Sequence, residues 1–185
     1  ERLTLATGSA GIGIWDWNVT KNEVVWDDQM FALYGVKPGN VNETYETWLN
    51  GIHPDDRERE NKLIERVLPG EREYNTEFRV VWPDGSVHWL RSDAKVFRNE
   101  NGDAIRMTGV NYDITERKKD EINLKRWADI FENLAFGFVV GEPDNKLLSL
   151  MNPAFARMHG YSDEELTGTP IADVFAPECR KDLPG

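Results

Sequence analysis

Residues 27–36 of the sequence read DDQMFALYGV, and residues 152–161 read NPAFARMHGY. Each stretch sets an Asp or Asn before a short apolar run that ends near a glycine, and this pattern predicts a short helix with a capped start and a glycine stop. Gly35 and Gly160 lie 125 residues apart. The recurrence indicates that the chain contains the same local structure twice.

Two further pairs of motifs recur at almost the same distance. Gly-Ile at 13–14 matches Gly-Phe at 137–138 after 124 residues, and Pro-Asp at 54–55 matches Pro-Glu at 177–178 after 123 residues. Repeats of this length are far longer than the roughly 20–50 residues of solenoid repeats. The sequence therefore predicts two domains in tandem.

We expect three segments along the chain. Residues 1–118 are predicted to form a complete domain, 116–134 a linker helix, and 135–185 the N-terminal half of a second domain. The second copy stops where its long helix should begin, so we expect its last three strands to be missing. The strand at 137–140 would then keep an unpaired edge, and the half domain would pack poorly or pair with another molecule.

The bulk composition argues against several classes of partner. A formal net charge of −11, without a basic stripe, argues against nucleic acid and anionic lipid. No apolar run approaches the roughly 18 residues of a membrane span, and the N-terminal residues lack a signal-peptide pattern. The single cysteine, Cys179, excludes internal disulfides and a multi-cysteine zinc site. We therefore expect a cytoplasmic protein without membrane contact.

The predicted elements of the first copy run in the order two strands, helices, three strands. With Pro-Asp-Gly and Asn-Gly turn signals between the later strands, this order predicts an α+β fold whose helices cover one face of an antiparallel sheet. On the last strand, alternation places Met107, Gly109 and Asn111 on one face, where a glycine leaves room for something to approach. The predicted strands span 12–19, 23–26, 73–82, 87–98 and 104–114, and the long helix spans 54–68.

A series of short motifs follows in order along the first copy. They are GIWDW at 13–17, YG at 34–35, IHPDDR at 52–57, DG at 84–85 with Trp89, and GVNYDITERK at 109–118. In this order they resemble the PAS family of sensory domains, in the variant with tryptophans in the first strand. The likeness covers about 10–118 and resumes at about 125. It implies a five-stranded antiparallel sheet, a small cavity under the helices, and an attached effector, often a histidine kinase or a cyclic-dinucleotide enzyme.

The resemblance also selects residues around the implied cavity. Asn111 matches the position where flavin-binding relatives carry a ring-contacting glutamine, although it could equally satisfy a backbone group inside the fold. With Asn111 we select Met107, Gly109, Tyr34 and Phe31 as candidate ligand-binding residues. The sequence names no cofactor.

The sequence lacks the residues that hold two cofactors in related domains. Covalent flavin chemistry needs a cysteine after the second helix, but residues 168–171 of the second copy read GTPI, and the first copy has no cysteine. Haem-binding relatives ligate iron through a histidine on the long helix, and residues 55–68 contain none. His53 precedes Pro54 and is interpreted as a helix cap or a hinge residue. The sequence thus argues against covalent flavin and histidine-ligated haem.

Aromatic and acidic residues each allow two interpretations. The tryptophans could form an aromatic cage for a cation, or could be core and cross-strand partners, which is the more common role. The acidic pair 55–56 could act in catalysis, but we interpret it as the usual negative charge at a helix start. The tryptophans considered for the cage are Trp15, Trp17, Trp26, Trp82 and Trp89.

The stretch after the last predicted strand changes to a helical pattern at Thr115, a reasonable cap. Leu124, Trp127, Phe131 and Leu134 are spaced 3, 4 and 3 residues apart, which predicts either a dimer seam or a stripe that packs on the second domain. We expect Asp113 and Thr115 to tie the strand end to the helix, so that Asp113, Thr115 and this stripe transfer the signal.

Together these features predict a homodimeric sensory or relay module of a larger protein such as a sensor histidine kinase, with a small-molecule ligand as a further candidate partner. The sequence lacks a nucleophile elbow, a phosphate-binding glycine loop and a kinase signature, so we expect no enzymatic activity from these 185 residues. The alternatives are a ligand-free dimerisation scaffold, a noncovalent haem or flavin sensor, and the input part of a cyclic-dinucleotide enzyme.

Overall fold

The computed structural model describes residues 10–39, 44–141 and 147–174. The chain separates into two compact units, 1–119 and 120–185. The repeat partner Pro177 and the single Cys179 lie outside the described residues, as does the expected start of a long helix in the second copy.

The first unit is an α+β domain with a five-stranded sheet, which confirms the predicted fold class. Every neighbouring pair of strands is antiparallel, and the strand order is β2-β1-β5-β4-β3. Its elements are β1 Ile12–Asn18, β2 Glu23–Trp26, α1 Asp28–Leu33, α2 Tyr45–Gly51, α3 Pro54–Val67, β3 Tyr74–Val81, β4 Val87–Arg98 and β5 Ala104–Asp113.

Local sequence signals explain where these helices begin. Asp27 caps α1 by accepting a hydrogen bond from the Met30 N–H over 2.8 Å. His53 caps α3 by accepting one from the Asp55 N–H over 3.3 Å, with Pro54 at the first helical position. Helix α2 is absent from the predicted elements, although Thr44 accepts from the Thr47 N–H at its start.

The core lies between the helices and one face of the sheet. Strand β3 buries every second side chain, with Phe78 and Val80 fully enclosed. On β5 the buried set is Met107, Gly109 and Asn111, the face that alternation predicts. The space above Gly109 is already filled, because a Cβ there would lie 2.6 Å from both the Trp15 ring and the Ala94 Cβ. The space that the sequence predicts next to Gly109 is therefore occupied by the side chain of Trp15.

One helix, α4 (Thr115–Asn133), passes from the first unit into the second. The second unit continues with β6 Val139–Gly141, β7 Leu148–Met151, α5 Pro153–His159, α6 Asp163–Leu166 and α7 Ile171–Val174. No helix among the described residues is long and apolar enough to cross a membrane.

The second unit is organised around Asn152, which is fully buried. Its Oδ1 accepts from the N–H groups of Phe138 and Phe155, at 2.8 and 3.0 Å, and its Nδ2 donates to the Phe136 carbonyl. The two strands form an antiparallel pair over a small core, while Phe136 and Leu150 remain exposed. The repeated helix thus starts at a buried asparagine cap, as its sequence predicts.

Candidate functional site

A row of polar side chains crosses the buried face of the first unit's sheet. Thr76 on β3 lies opposite Ser92 on β4, Ser92 lies opposite Asn111 on β5, and Asn111 lies opposite Gly13 on β1. All three polar residues are buried. Because buried hydrogen-bonding groups need partners, such a row on an inner face requires explanation.

Asn111, the first candidate ligand residue, has a partner within the protein. Its Oδ1 accepts a hydrogen bond from Trp15 Nε1 over 2.9 Å. The two residues are 96 positions apart in the chain, on adjacent strands. Asn111 therefore orients an aromatic side chain, a role that neither sequence interpretation of this residue anticipated.

Glu60 is a buried carboxylate that the sequence analysis did not select. Its Oε1 accepts from Thr76 Oγ1 over 3.0 Å and also lies 3.0 Å from the Arg59 guanidinium. Its Oε2 is enclosed and has no hydrogen-bond partner among the described residues. Burial raises the pKa of Glu60 above the ordinary glutamate value. The position could have been found, since Asp56, Glu60 and Ile64 recur every four residues on one helical face.

Asp56, interpreted from the sequence as part of the charge at a helix start, is mainly a packing residue. It is buried, and Arg79 donates to it from the backbone N–H and from the guanidinium, at 2.7 to 3.0 Å. Burial opposes ionisation, but these hydrogen bonds outweigh it and lower the pKa of Asp56. The pair fastens α3 to β3.

Tyr34 carries the second buried oxygen without a partner. Its hydroxyl makes no hydrogen bond of normal geometry within the described part of the chain. Burial raises the pKa of Tyr34 far above its ordinary range, although the Trp48 indole and the Asn111 amide lie close enough to act in the opposite direction. Phe31, by contrast, packs edge-on against Trp26 and offers only apolar contact.

Beside these polar groups lies a small cavity, here called the aromatic pocket. Its volume is about 30 Å³, room for one or two waters, whereas ligand sites usually measure roughly 300–1,000 Å³. None of the five candidate ligand residues lines it. The lining residues are Trp15, Trp17, Val24, Trp26, Tyr45, Trp48, Ile64 and Tyr74.

The structure divides the five tryptophans considered for a cage. Trp15, Trp17 and Trp26 line the aromatic pocket. Trp82 instead stacks on His88, with ring centroids 3.9 Å apart, and Trp89 lies beneath the cations of Arg79 and Lys118. Trp82 and Trp89 therefore do not line the aromatic pocket, in keeping with the interpretation of the strand tryptophans as packing residues.

Asn22 connects two lining residues of the aromatic pocket, Trp17 and Tyr45, without lining the pocket itself. It has a positive φ of 55°, a conformation that asparagine tolerates better than most residues. Its Oδ1 accepts from Trp17 Nε1 at 3.2 Å and from the Tyr45 N–H at 3.4 Å, and its Nδ2 donates to the Glu46 carboxylate. The turn between β1 and β2 is thereby held against α2.

A larger groove on the first unit is a weaker candidate. It has a volume of about 610 Å³ and is wide open to solvent. Its walls mix the cations of Arg72, Lys95 and Arg98 with the carboxylates of Glu73 and Asp93. A small ligand in this groove would remain largely in contact with water. The mixed charges of the walls would favour neither an anionic nor a cationic ligand.

The end of β5 is bonded to the start of α4. The Thr115 N–H donates to Asp113 Oδ1 over 2.6 Å, and Thr115 Oγ1 accepts from the Trp89 N–H over 2.9 Å. Glu77, a residue missed from the sequence, lies 2.7 Å from Lys118 Nζ and 2.6 Å from the Arg117 guanidinium. These cations lower the pKa of Glu77 to about 2, with the Lys118 hydrogen bond as the largest cause.

The predicted apolar stripe on α4 divides into two parts. Leu124 and Trp127 are 73% and 69% exposed. Phe131 packs edge-on against Phe138 of the second unit, with centroids 5.7 Å apart, and Leu134 is half-buried. The later part of the stripe therefore packs within its own unit, while the earlier part is open.

Comparison with known proteins identifies the two repeats. Residues 23–111 match a family model described as the PAS fold, and residues 125–185 match a model described as a PAS domain. The two matches do not overlap, and together they cover most of the chain. They agree with the duplication that the helix motifs indicate.

Two curated relatives are described as a probable diguanylate cyclase and as a sensor protein. The probable diguanylate cyclase DgcE of Escherichia coli (strain K12) is 32% identical over 178 residues, which cover 94% of this chain and 16% of that protein. The sensor protein FixL of Bradyrhizobium diazoefficiens is 27% identical over 182 residues, covering 96% of this chain and 35% of that protein. The chain thus spans well under two thirds of either relative.

A solved structure supports the same relationship. The sensory box histidine kinase/response regulator from Burkholderia thailandensis is 29% identical, with a TM-score of 0.63, and the match covers 72% of this chain and 100% of the solved one. The chain is therefore similar to this protein in fold as well as in sequence. Over both matched segments, the chain belongs to the PAS family of sensory domains.

Proposed function

We propose that the first unit is an input module that passes the state of its interior to an effector through α4. The observation that carries the proposal is a short path of hydrogen bonds. Trp15 of the aromatic pocket donates to Asn111 on β5, and the end of β5 is bonded to the start of α4 through Asp113 and Thr115. A displaced Trp15 ring would therefore act on the strand that leads into the helix.

Signalling through this path needs two arrangements of α4 whose populations depend on the pocket. Glu77, Arg117 and Lys118 hold the first turn of the helix to β3 in the arrangement observed. Because these contacts are ion pairs at a partly exposed position, they can break at modest cost. They are suited to a reversible connection.

The effector and its activity are proposals taken from the relatives. DgcE is a probable diguanylate cyclase, and the Burkholderia protein is a histidine kinase/response regulator. We propose that this chain regulates an effector of one of these two kinds in a cytoplasmic parent protein and has no catalytic role of its own. The segment limits of 1–118, 116–134 and 135–185 are proposed from the internal repeat and from the change to a helical pattern at Thr115.

A second candidate function is a dimerisation scaffold that binds no ligand. The small volume of the aromatic pocket, about 30 Å³, favours it, because aromatic side chains already fill most of the interior. The exposed Leu124 and Trp127 on α4 offer an apolar strip that a second copy could cover. A noncovalent haem or flavin would need a far larger cavity than the one observed, and absorbance spectra of the purified protein test that alternative.

The proposed coupling can be tested on the chain itself by hydrogen exchange along α4. Trp15→Phe removes the bond to Asn111 and should speed exchange at 115–119. Combined with Asp113→Ala and Thr115→Ala, it should add little further effect, because the path is already broken. Trp82→Phe is the matched control, since it loses an indole bond to the Leu33 carbonyl that does not involve β5. Purely additive effects would refute the coupling.

A further inference from the structure

We infer that the aromatic pocket is a binding site for a small organic cation, such as a protonated or quaternary amine. This inference rests on the proposed sensing role and names the chemical class of the ligand. It is carried by the composition of the pocket walls, by the charges around them, and by the bonds through which Asn22 connects two lining residues.

The walls of the pocket are mostly aromatic. Six of its eight lining residues are tryptophan or tyrosine, and they come from β1, β2, α2 and β3. Trp17 stacks on Tyr45 at 5.0 Å, and Tyr45 lies 5.1 Å from Trp48. Ring faces carry a partial negative charge and attract cations within about 6 Å, most strongly for tryptophan. A cation that enters between these rings would meet several faces at once.

The surrounding charges have the sign that a cation requires. Burial is the largest cause that raises the pKa of Tyr45 to about 12, and the carboxylates of Glu65, Glu60 and Glu46 act in the same direction. The lining residues include no lysine or arginine. The nearby carboxylates therefore favour a cation over an anion in the pocket, although Arg59, 3.0 Å from Glu60, offsets part of the charge of Glu60.

Glu60 lines a separate groove, but when ionised it adds negative charge near two tyrosines that line the aromatic pocket. The side chain is fully buried and acts on the hydroxyls of both Tyr45 and Tyr74, which line the pocket. Arg59 and Thr76 satisfy Oε1, but Oε2 is unpartnered among the described residues. A buried acceptor of this kind is costly unless a donor reaches it. Because Glu60 does not line the aromatic pocket, it acts on a cation there through its charge and not through a hydrogen bond.

The bonds of Asn22 explain how a ligand larger than water would act. The observed volume of about 30 Å³ admits little more than one water, so an alkylammonium must displace a ring. The parts held by Asn22 are Trp17 and α2, which carries Tyr45 and Trp48. We expect binding to loosen these bonds, which couples occupancy to the position of α2.

The central test uses the unmodified 185-residue chain and a matched pair of ligands. Choline and its neutral isostere 3,3-dimethylbutan-1-ol have nearly the same shape and differ in charge. Titration calorimetry and tryptophan fluorescence should show that choline binds at least about tenfold more tightly, as a cation–π contribution near 1.4 kcal/mol implies. Equal binding of the two compounds, or no binding of choline, methylammonium or tetramethylammonium, overturns the inference.

Variants show whether choline binds in the aromatic pocket. Comparing choline binding with hydrogen exchange along α4 separates this inference from the proposed function. Trp48→Leu and Glu65→Gln should each weaken choline binding, whereas the controls Trp127→Leu and Glu58→Gln, at exposed positions, should not. Circular dichroism establishes that each variant is folded, and the ligand pair needs no variant at all. If choline fails to bind while the exchange coupling between Trp15 and α4 persists, the cation site is wrong and the proposed function stands.

Discussion

Trp15 Nε1 and Asn111 Oδ1 are joined by a 2.9 Å hydrogen bond that links the first strand of the sheet to the last. Strands β1 and β5 are neighbours at the centre of the sheet order, so this bond lies between the hairpin that bears the pocket and the strand that leads into α4. A single polar pair thus connects the two regions on which the proposed function depends.

Removing the amide of Asn111 should destabilise the first unit. Asn111→Ala leaves the Trp15 indole N–H without its acceptor, and we expect a loss of about 1–3 kcal/mol in the free energy of unfolding. Urea denaturation followed by tryptophan fluorescence measures it. Asn101→Ala, in an exposed turn, is the control. An unchanged midpoint for the Asn111 variant would mean that the bond contributes nothing to stability.

Glu60 should make stability fall as pH rises. Its pKa is raised in the folded state, so the folded protein retains a proton that the unfolded chain releases above the ordinary value of 4.5. The free energy of unfolding should therefore decrease between 4.5 and the raised pKa, and Glu60→Gln should flatten this slope. Denaturation at several pH values tests it. Glu58→Gln should leave the slope above 4.5 unchanged, since Lys62 lowers the pKa of Glu58 and any contribution of Glu58 to stability is lost only below 4.5.

Glu77 should contribute stability that is lost in acid. Its pKa is lowered to about 2, so its contribution is present above the ordinary value of 4.5 and disappears as pH falls from 4.5 towards 2. At neutral pH, Glu77→Gln should cost about 1–2 kcal/mol after allowance for solvent screening of the exposed partners, and should speed hydrogen exchange at 115–119. Glu116 lies in the same turn of α4 as Arg117 and Lys118. Glu116→Gln should change the free energy of unfolding and the rate of hydrogen exchange much less than Glu77→Gln does. A neutral result for Glu77→Gln would show that the ion pairs do not hold the helix.

Gly109→Ala should disturb the pocket from the sheet side. The added methyl would lie 2.6 Å from the Trp15 ring and 2.7 Å from the Asp93 carbonyl, so either the ring or the strand must move. We expect destabilisation of about 1–3 kcal/mol. Near-ultraviolet circular dichroism should show a changed tryptophan signal. Gly141→Ala is the control, because its methyl would approach no atom closer than 3.7 Å. An unaltered spectrum for Gly109→Ala would contradict the close packing of Trp15.

The sequence predicted the parts of the fold that depend on local signals. The strands, the capped helices and the shared face of Met107, Gly109 and Asn111 follow from alternation and from cap residues such as Asp27 and Asn152. Helix α2 was missed because its seven residues bury no side chain completely and give only a weak periodic pattern. Its absence from the prediction concealed Tyr45 and Trp48.

The candidate site was less predictable, because its main features arise from tertiary contacts. The burial of Glu60 depends on Thr76 and on the sheet beneath it, whereas an acidic residue on a helix usually lies in solvent. The partner of Asn111 is a side chain 96 residues away, which no local pattern reveals. Strict alternation does indicate that Trp89 faces away from its buried neighbour Leu90, so its exclusion from the cage could have been foreseen.

The left-handed backbone at Asn22 has a consequence for how this protein can vary. Glycine adopts the same φ freely, so Asn22→Gly preserves the path of the chain while removing every bond that its amide makes to Trp17, Tyr45 and Glu46. Aspartate would keep an acceptor for the indole but would repel the glutamate. The backbone conformation of the turn at Asn22 and the hydrogen bonds that hold α2 to it can therefore vary independently. One codon change at this position can remove the bonds to α2 without altering the turn.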